Sequence, residues 1–175
     1  MSQLIKISLV SAMFAASVQV TTVQANEPDV TGTWQLQDAE GAQATLDQAV
    51  ENVAQEMNFF IRALARPALK KQTQICTQWQ LSRPTSPFRW QCDRLEADVI
   101  SLDAQKVLLK TDEEGVAIFA TYQQTSDSVV VILESERGKR TNTWQRLGEN
   151  ELRYTAMLES EKLPTPLTWT LTYTK

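Results

Sequence analysis

Hydrophobic residues follow two different periods along this chain of 175 residues. Residues 45–67, TLDQAVENVAQEMNFFIRALARP, place large apolar side chains three or four positions apart. That spacing aligns them on one face of an α-helix. From residue 73 onward, apolar and polar residues alternate, or β-branched and aromatic residues cluster, as they do in β-strands. The pattern therefore predicts one amphipathic helix followed by a long series of strands.

The predicted helix has a start signal, one apolar face and a stop signal. Thr45 and Gln48 form a capping box, which predicts the first turn. The apolar face consists of Leu46, Val50, Val53, Met57, Phe60 and Leu64. Pro67 ends the helix or kinks it into a short continuation, so the helical insert covers residues 45–71.

A first strand is predicted before the helix, at residues 31–37. The later strands are predicted at residues 73–81, 88–95, 97–102, 106–111, 116–124, 128–135, 139–147, 151–160 and 167–175. Because short turn-like clusters separate most of them, neighbouring strands are expected to pair as antiparallel hairpins. Closure into a barrel removes the unpaired edges of such a sheet.

These elements together predict a mainly β fold. We expect an antiparallel up-and-down β-barrel of about 8–10 strands. One amphipathic helix is inserted between strands 1 and 2 and caps the barrel. The sequence contains no internal repeat and no low-complexity linker.

The first 25 residues have the organisation of a secretory signal peptide. Lys6 is followed by an apolar run from Ile7 to Val20 and by small residues that end at Ala25. We expect cleavage after Ala25 and a single lipocalin-like barrel domain over residues 26–175, exported to the periplasm or secreted. The alternative is a membrane anchor, for which the run is short and diluted by serines.

Cys76 and Cys92 flank a predicted strand, turn and strand. In an exported chain, where disulfides persist, we expect these two cysteines to bond and to join the arms of the hairpin. Such a bond contributes about 3 kcal/mol in the chain-entropy model. The alternative is a redox-active or nucleophilic cysteine, but the chain has neither a C-x-x-C pair nor a histidine to activate a thiolate.

Charge and composition argue against nucleic-acid binding and against most catalytic chemistry. Without residues 1–25 the chain has 16 basic and 21 acidic residues, a net charge of −5, so it has no broad attraction for nucleic acid. The chain contains no histidine, which is the commonest general base and metal ligand. We therefore expect no enzyme activity, no cofactor and no metal. The acidic clusters are interpreted as solvated turns rather than cation sites, and they comprise Asp93, Glu96 and Asp98, and Asp112, Glu113 and Glu114.

The first strand carries a G-x-W sequence formed by Gly32, Thr33 and Trp34. This motif, the helical insert after it and the antiparallel strands that follow resemble the lipocalin and fatty-acid-binding protein superfamily. The position of the insert is more similar to the fatty-acid-binding branch. The resemblance implies a calycin-like barrel with helices over its mouth, a small apolar ligand inside it, and Trp34 at the barrel floor.

Two features of that superfamily are missing from this chain. Fatty-acid-binding proteins commonly carry Arg-x-Tyr on the last strand to hold a ligand carboxylate, but here the corresponding residues are Leu171, Thr172 and Tyr173. Lipocalins often pack a late arginine on the tryptophan of G-x-W, and this chain offers only Lys175 near its end. The resemblance therefore implies the architecture but not a copied carboxylate site.

The strand at residues 139–147 carries the most informative polar positions. One face carries Arg140, Asn142, Trp144 and Arg146, because side chains alternate along a strand. If Trp144 points inward, Arg140 also does, and a buried arginine needs an anionic or polar partner. In the alternative arrangement, Thr141, Thr143 and Leu147 line the interior and the arginines are solvated. The candidate ligand-binding residues are Met57, Phe60, Ile61, Leu64, Arg140, Asn142, Trp144, Tyr154 and Tyr173.

The functional hypothesis is an exported, non-enzymatic binding protein that holds a fatty acid or other lipid in the barrel under a helical lid. The alternative is a filled barrel that acts through its surface, as a partner of an envelope protein or as an enzyme inhibitor. A basic cluster formed by Arg62, Arg66, Lys70 and Lys71 is a candidate for transient contact with an anionic membrane surface. The same cluster is also explained as a solvated helix end that complements the helix dipole.

Overall fold

The strands and helices follow one another along the chain in the order that the hydrophobic pattern predicts. A computed structural model describes residues 29–82, 87–125 and 127–175, so the predicted signal peptide, residues 1–25, lies outside the described residues. The two helices are α1 Ala39–Gln55 and α2 Phe59–Gln72. The ten strands in the described residues are β1 Gly32–Leu36, β2 Gln78–Ser82, β3 Phe88–Cys92, β4 Asp98–Ile100, β5 Val107–Thr111, β6 Ala117–Gln124, β7 Ser128–Ser135, β8 Gly138–Arg146, β9 Glu151–Glu159 and β10 Leu167–Thr174.

All ten strands belong to one antiparallel sheet in the order β4-β3-β2-β1-β10-β9-β8-β7-β6-β5. The first and last strands are neighbours, with Leu36 opposite Tyr173. The two ends of the sheet, β4 and β5, approach each other, and the Lys110 Nζ on β5 lies 2.6 Å from Asp98 Oδ1 on β4. The sheet therefore curls into a nearly closed up-and-down barrel, which confirms the predicted fold class.

Strict alternation on β10 separates the inside of the barrel from the outside. Trp169, Leu171 and Tyr173 are buried, whereas Thr168 and Thr170 are exposed and Thr172 is half-buried. In an antiparallel sheet with one covered face, the buried set points to the core. The aromatic and aliphatic residues of β10 therefore line the interior.

Trp34 is fully buried near the start of β1. Its Nε1 donates a hydrogen bond to the carbonyl of Val30 at 2.8 Å. The Lys175 Nζ lies 4.8 Å from the centroid of the Trp34 ring, within the range of a cation–π contact. The carboxyl-terminal lysine thus provides the cation beside this tryptophan.

The predicted start of the helix at Thr45 is wrong, because α1 begins at Ala39. Asp38 is the N-cap, and its Oδ1 accepts a hydrogen bond from the N–H of Gly41 at 2.9 Å. A Cβ on Gly41 would collide with the Asp38 carboxylate, so the glycine makes this cap possible. Thr45 lies inside the helix, where its hydroxyl bonds the carbonyl of Gly41. The small residues before Thr45 add no apolar period, which is why the pattern missed them.

The helical insert consists of two helices rather than the predicted single helix. Asn58 caps α2, since its Oδ1 accepts a hydrogen bond from the N–H of Ile61 at 3.0 Å. Arg62 closes the end of α1 by donating to the carbonyls of Ala54, Gln55 and Met57. This break divides the predicted apolar face, so Leu46, Val50, Val53 and Met57 are buried, while Phe60 and Leu64 are exposed.

α1 lies over the interior of the barrel. It contacts β10 and α2, and its buried Leu46 belongs to the same core cluster as Leu171 and Tyr173, so the helix packs on the inner face of that strand. α2 packs mainly against α1 and has a single buried residue, Leu69. Neither described helix combines the length and the apolar composition that a bilayer-spanning helix needs.

The predicted disulfide between Cys76 and Cys92 is confirmed. It links the segment that leaves α2 to the end of β3, with the two Cα atoms 5.4 Å apart. The adjacent Asp93 carboxylate accepts hydrogen bonds from the Thr77 hydroxyl and from the backbone N–H of Gln78. Disulfides persist in oxidising compartments, so this bond indicates a location outside the cytoplasm.

The N-cap of α1 can be tested with two substitutions. Asp38→Ala removes the acceptor of the Gly41 N–H and should lower the free energy of unfolding by about 1 kcal/mol. Thr45→Ala should leave it nearly unchanged, since alanine is a strong helix former in the same interior turn. Urea unfolding followed by circular dichroism measures both. A larger loss for Thr45→Ala than for Asp38→Ala would show that the helix starts where the sequence pattern placed it.

Candidate functional site

A half-open pocket of about 410 Å³ lies inside the barrel, within the size range of small-molecule sites. Its apolar walls are the side chains of Trp79, Trp90, Leu133 and Leu171. Three polar residues of β8 and β9, namely Arg140, Asn142 and Tyr154, also line it. An apolar cleft with a few convergent polar groups is the usual form of a ligand site.

The pocket opens where the two ends of the sheet approach each other. Asp98 of β4 and Lys110 of β5 form one side of its rim, beside Leu95 and Glu96. The disulfide sulfurs and Gln74 form another side. Gln74 belongs to the segment that joins α2 to β2. Among the described lining residues none belongs to a helix, so the helical insert contributes to the rim only through the chain that follows it.

Arg140, Asn142 and Tyr154 form one hydrogen-bonded cluster. Arg140 Nε donates to Asn142 Oδ1 at 3.1 Å, and Arg140 Nη2 donates to the Tyr154 hydroxyl at 3.1 Å. The Tyr154 hydroxyl in turn donates to Asn142 Oδ1 at 2.8 Å. Asn142 Nδ2 donates to the carbonyl of Val131 at 3.4 Å. The cluster holds the guanidinium in one orientation, 5.4 Å from the centroid of the Trp169 ring.

The positive charge of Arg140 has only neutral hydrogen-bond partners in the described part of the chain. Other basic residues, such as Arg66 and Lys110, reach a carboxylate oxygen within 2.7 Å. A guanidinium has five N–H donors, and the two bonds to Asn142 and Tyr154 use only two of them. A half-buried cation without a counter-charge attracts an anion. This arrangement can therefore bind a carboxylate or another anionic group.

An aromatic cluster fills the barrel around Trp144. The Trp144 ring centroid lies 5.4 Å from that of Trp79, 5.7 Å from that of Phe88 and 5.7 Å from that of Tyr154. Trp144 is fully buried, packs within this cluster, and does not line the pocket. The pocket therefore occupies only the part of the interior that these rings leave open.

The side chains of β8 adopt the arrangement in which Trp144 points into the barrel. Asn142 and Trp144 are buried, whereas Leu147 is 40% exposed beyond the end of the strand. Arg140 and Asn142 therefore point into the barrel with Trp144. Sequence reasoning missed all four wall residues, among them Trp90 and Leu133. Trp90 shares its face of β3 with Cys92, and Leu133 lies opposite Arg140, so pairing with the known neighbours would have identified both.

Tyr173 lies near the pocket but does not line it. Its hydroxyl donates a hydrogen bond to the carbonyl of Cys76 at 2.8 Å, which ties β10 to the disulfide. Burial raises the pKa of the Tyr173 phenol far above its usual range, and the nearby Tyr154 and Asp93 act in the same direction. The phenol therefore serves as a neutral donor.

The candidate residues from the helical segment lie outside the pocket. Met57 is buried in the turn between α1 and α2. Phe60, Ile61 and Leu64 are 82%, 51% and 79% exposed on α2. The structure does not bring these four side chains together with Arg140.

The basic cluster of the helical segment is largely engaged by α1. Arg66 pairs with Glu51 at 2.7 Å, and Lys70 pairs with Asp47 at 2.8 Å. Hydrogen bonds from Arg66 lower the pKa of Glu51 below its usual value. Arg62 closes the end of α1, as described above. Of the four predicted contacts to a membrane surface, only Lys71 remains outside these pairings.

A wider groove of about 540 Å³ runs over the turns at the β7–β8 and β9–β10 connections. Its charged residues satisfy one another, since Lys106 pairs with Glu134 at 3.1 Å and Lys139 pairs with Glu159 at 2.7 Å. The groove is shallow and open to solvent. We therefore place the candidate site in the smaller pocket inside the barrel.

No known family model matches the chain, and no curated protein is similar to it in sequence. The nearly closed barrel of ten strands with two helices after β1 is consistent with a calycin-like fold. This likeness rests on topology.

The buried phenol of Tyr173 predicts a change of stability with pH. In the unfolded chain a tyrosine ionises at about pH 10, whereas burial keeps Tyr173 protonated to higher pH. Its contribution should therefore be complete below about pH 10 and decrease as the pH rises further. Tyr173→Phe cannot ionise, so it should flatten this decrease, apart from a pH-independent loss of about 1 kcal/mol from the missing hydrogen bond.

Urea unfolding between about pH 8 and about pH 11 measures both effects, since this range spans the ordinary tyrosine pKa. Parallel curves for the wild type and Tyr173→Phe would show that the phenol is not protected from ionisation in the folded protein.

Proposed function

We propose that this protein is an exported, non-enzymatic binding protein that holds a small amphiphile, such as a fatty acid or another lipid, in the barrel pocket. The apolar part of the ligand lies against the aromatic and aliphatic walls, and its anionic head group binds Arg140. The observation that carries the proposal is the half-buried guanidinium of Arg140, which lines the pocket and has neutral hydrogen-bond partners only among the residues that the structure describes.

The chemistry of the pocket supports both halves of such a ligand. Trp79, Trp90 and Leu171 offer apolar surface, against which each buried CH₂ group contributes about 0.8 kcal/mol. The free N–H groups of Arg140 offer charge-assisted hydrogen bonds of about 1.5–3 kcal/mol. Tyr154 and Asn142 fix the guanidinium in advance, so binding does not have to immobilise it.

The helical insert supports a role in closing the barrel. α1 covers the inner face of β10, and the chain that leaves α2 reaches the rim at Gln74 and Cys76. The disulfide holds this rim segment to β3. In this proposal the insert is the lid, and ligand passes over the rim between Gln74 and the Asp98–Lys110 pair.

Export rests on two independent observations. Residues 1–25 have the order of regions of a signal peptide, and the Cys76–Cys92 disulfide belongs to an oxidising compartment. A periplasmic or secreted carrier meets both requirements.

The second candidate is a barrel that acts through its surface, as a partner of an envelope protein or as an enzyme inhibitor. The exposed apolar side chains of α2, including Phe60 and Leu64, favour this candidate. It requires no ligand inside the barrel, and this difference separates it from the carrier.

Binding of decanoate and decanol, measured by calorimetry, tests the role of Arg140. The two compounds share a chain length and differ in charge. Arg140→Met should weaken decanoate binding by about 10-fold to 100-fold, the equivalent of one charge-assisted contact, and should change decanol binding by less than about twofold. Arg140→Lys should recover part of the affinity, because it keeps the charge but loses the planar geometry.

Arg146→Met is the matched control, since Arg146 lies on the same strand and donates instead to the carbonyls of Asp29 and Gly148. It should leave both affinities unchanged. Failure of the wild-type protein to bind either compound would favour the surface-acting candidate. Equal losses for Arg140→Met and Arg146→Met would show that Arg140 does not hold the head group.

A further inference from the structure

The solvent-facing side of α2 is apolar, the reverse of an ordinary surface helix. Residues three or four positions apart share one face of a helix. Phe60, Ala63, Leu64, Pro67 and Lys71 follow this spacing, and all five are exposed. Along this face, charge appears only at its carboxyl-terminal end.

Three of the four cations of α2 bind α1 instead, and only Lys71 lies on the exposed face. Arg66 and Lys70 bind Glu51 and Asp47, and Arg62 binds the carbonyls at the end of α1. The helix therefore uses its polar side within the protein and presents its apolar side to solvent. A face of this kind indicates a binding surface.

The area of this face suits a small protein interface. Phe60 and Leu64 lie on this face, Phe59 and Ile61 flank it, and all four are at least 51% exposed. Together they present on the order of 500 Å² of apolar surface, near the size at which a patch marks an interaction site. Two such faces in contact bury about 1,000 Å², the lower end of the range for specific complexes.

We propose that this face binds a second copy of the chain, with α2 antiparallel to the α2 of the partner. Bulky and small residues alternate along the exposed face, in the order Phe60, Ala63, Leu64 and Pro67, so the face is complementary to itself when reversed. A two-fold axis between Ala63 and Leu64 places Phe60 against the partner's Pro67 and Leu64 against the partner's Ala63. Each large side chain then meets a small one.

The charged residues at the two ends of the face are consistent with this register of the two antiparallel helices. Lys71 is exposed near the end of α2, and Glu56 is exposed in the turn before it. The two-fold axis that pairs Phe60 with the partner's Pro67 also places Lys71 near the partner's Glu56. Exposed ion pairs contribute about 0–1 kcal/mol, so they set the register more than the affinity.

The charges of α2 favour a second copy over an anionic bilayer. A membrane-surface helix needs free cations beside its apolar face. Here Arg62, Arg66 and Lys70 are bound within the protein, and the full chain has a net charge of −4. The apolar face is therefore complementary to an antiparallel copy of itself, and it lacks the free cations that binding to anionic lipids requires.

Sedimentation velocity of the purified protein tests the dimer, from about 1 to about 200 µM, which brackets the affinity of a small interface. The wild type should shift from monomer to dimer across this range. Phe60→Glu and Leu64→Glu should keep the protein monomeric at every concentration, and their circular dichroism should be unchanged because both residues are exposed. Leu108→Glu is the matched control, since Leu108 is 60% exposed on β5, and it should dimerise like the wild type.

A charge exchange tests the register. Lys71→Glu should weaken dimerisation by about fivefold to tenfold, because it places like charges together, and the double variant Glu56→Lys with Lys71→Glu should restore it. A wild type that stays monomeric throughout overturns the proposal. Binding of that monomer to vesicles of anionic phospholipid, lost in Phe60→Glu, would then identify a bilayer as the partner. Dimers that persist in both Phe60→Glu and Leu64→Glu also overturn it.

Discussion

The contact of Trp144 with rings from the opposite side of the barrel is the interaction on which the rest of the structure depends. Three strands, β1, β10 and β9, lie between β8 and β2 in the sheet, and four lie between β8 and β3. Trp144 of β8 nevertheless packs against Trp79 of β2 and against Phe88 and Trp90 of β3. Only a curled sheet can bring these rings together. The aromatic core thus closes the barrel where the backbone ladder between β4 and β5 is missing.

This core also decides where a ligand can lie. Trp residues and Tyr154 fill the centre of the barrel, so the open volume is confined to the end where the disulfide and the sheet seam form a rim. Arg140 projects into that volume from β8. It lies two residues before Asn142 and four residues before Trp144, on the same face of the strand. The same strand therefore supplies the packed core and the charge above it. Because Asn142 and Tyr154 are neutral, they orient the guanidinium without neutralising it, and the charge remains available to an anion.

The strands could be predicted from the sequence because a half-buried strand repeats every two residues, and β10 shows this most clearly. Pairing Cys76 with Cys92 needed only their spacing and the export signal. The helical insert was harder, because two residues compete for the cap. Thr45 and Gln48 form a plausible capping box, but Asp38 accepts the bond from Gly41 and starts the helix earlier. The break between the helices occurs at Asn58, which caps α2. The helical spacing of apolar residues continues on both sides of Asn58, so the spacing alone does not reveal the break.

The pocket depends on contacts that no local pattern specifies. Arg140 could be assigned to the face of Trp144 from the sequence. That no carboxylate of the described residues pairs with it depends on where the fold places the acidic side chains. The exposure of Phe60 and Leu64 was also hidden in the sequence, since their spacing continues the buried face of α1. Arg62, Arg66 and Lys70 bind α1 instead, which turns the apolar side of α2 outward. Tertiary charge pairing thus overrides the periodic pattern there.

A crystal structure of the protein with bound decanoate would show whether Arg140 holds an anionic head group. We expect the hydrocarbon chain between Trp79 and Trp90, with the carboxylate bonded to the free N–H groups of Arg140. A carboxylate that points to solvent at the rim, or a ligand bound on the surface of α2 with the barrel pocket filled by water, would contradict it.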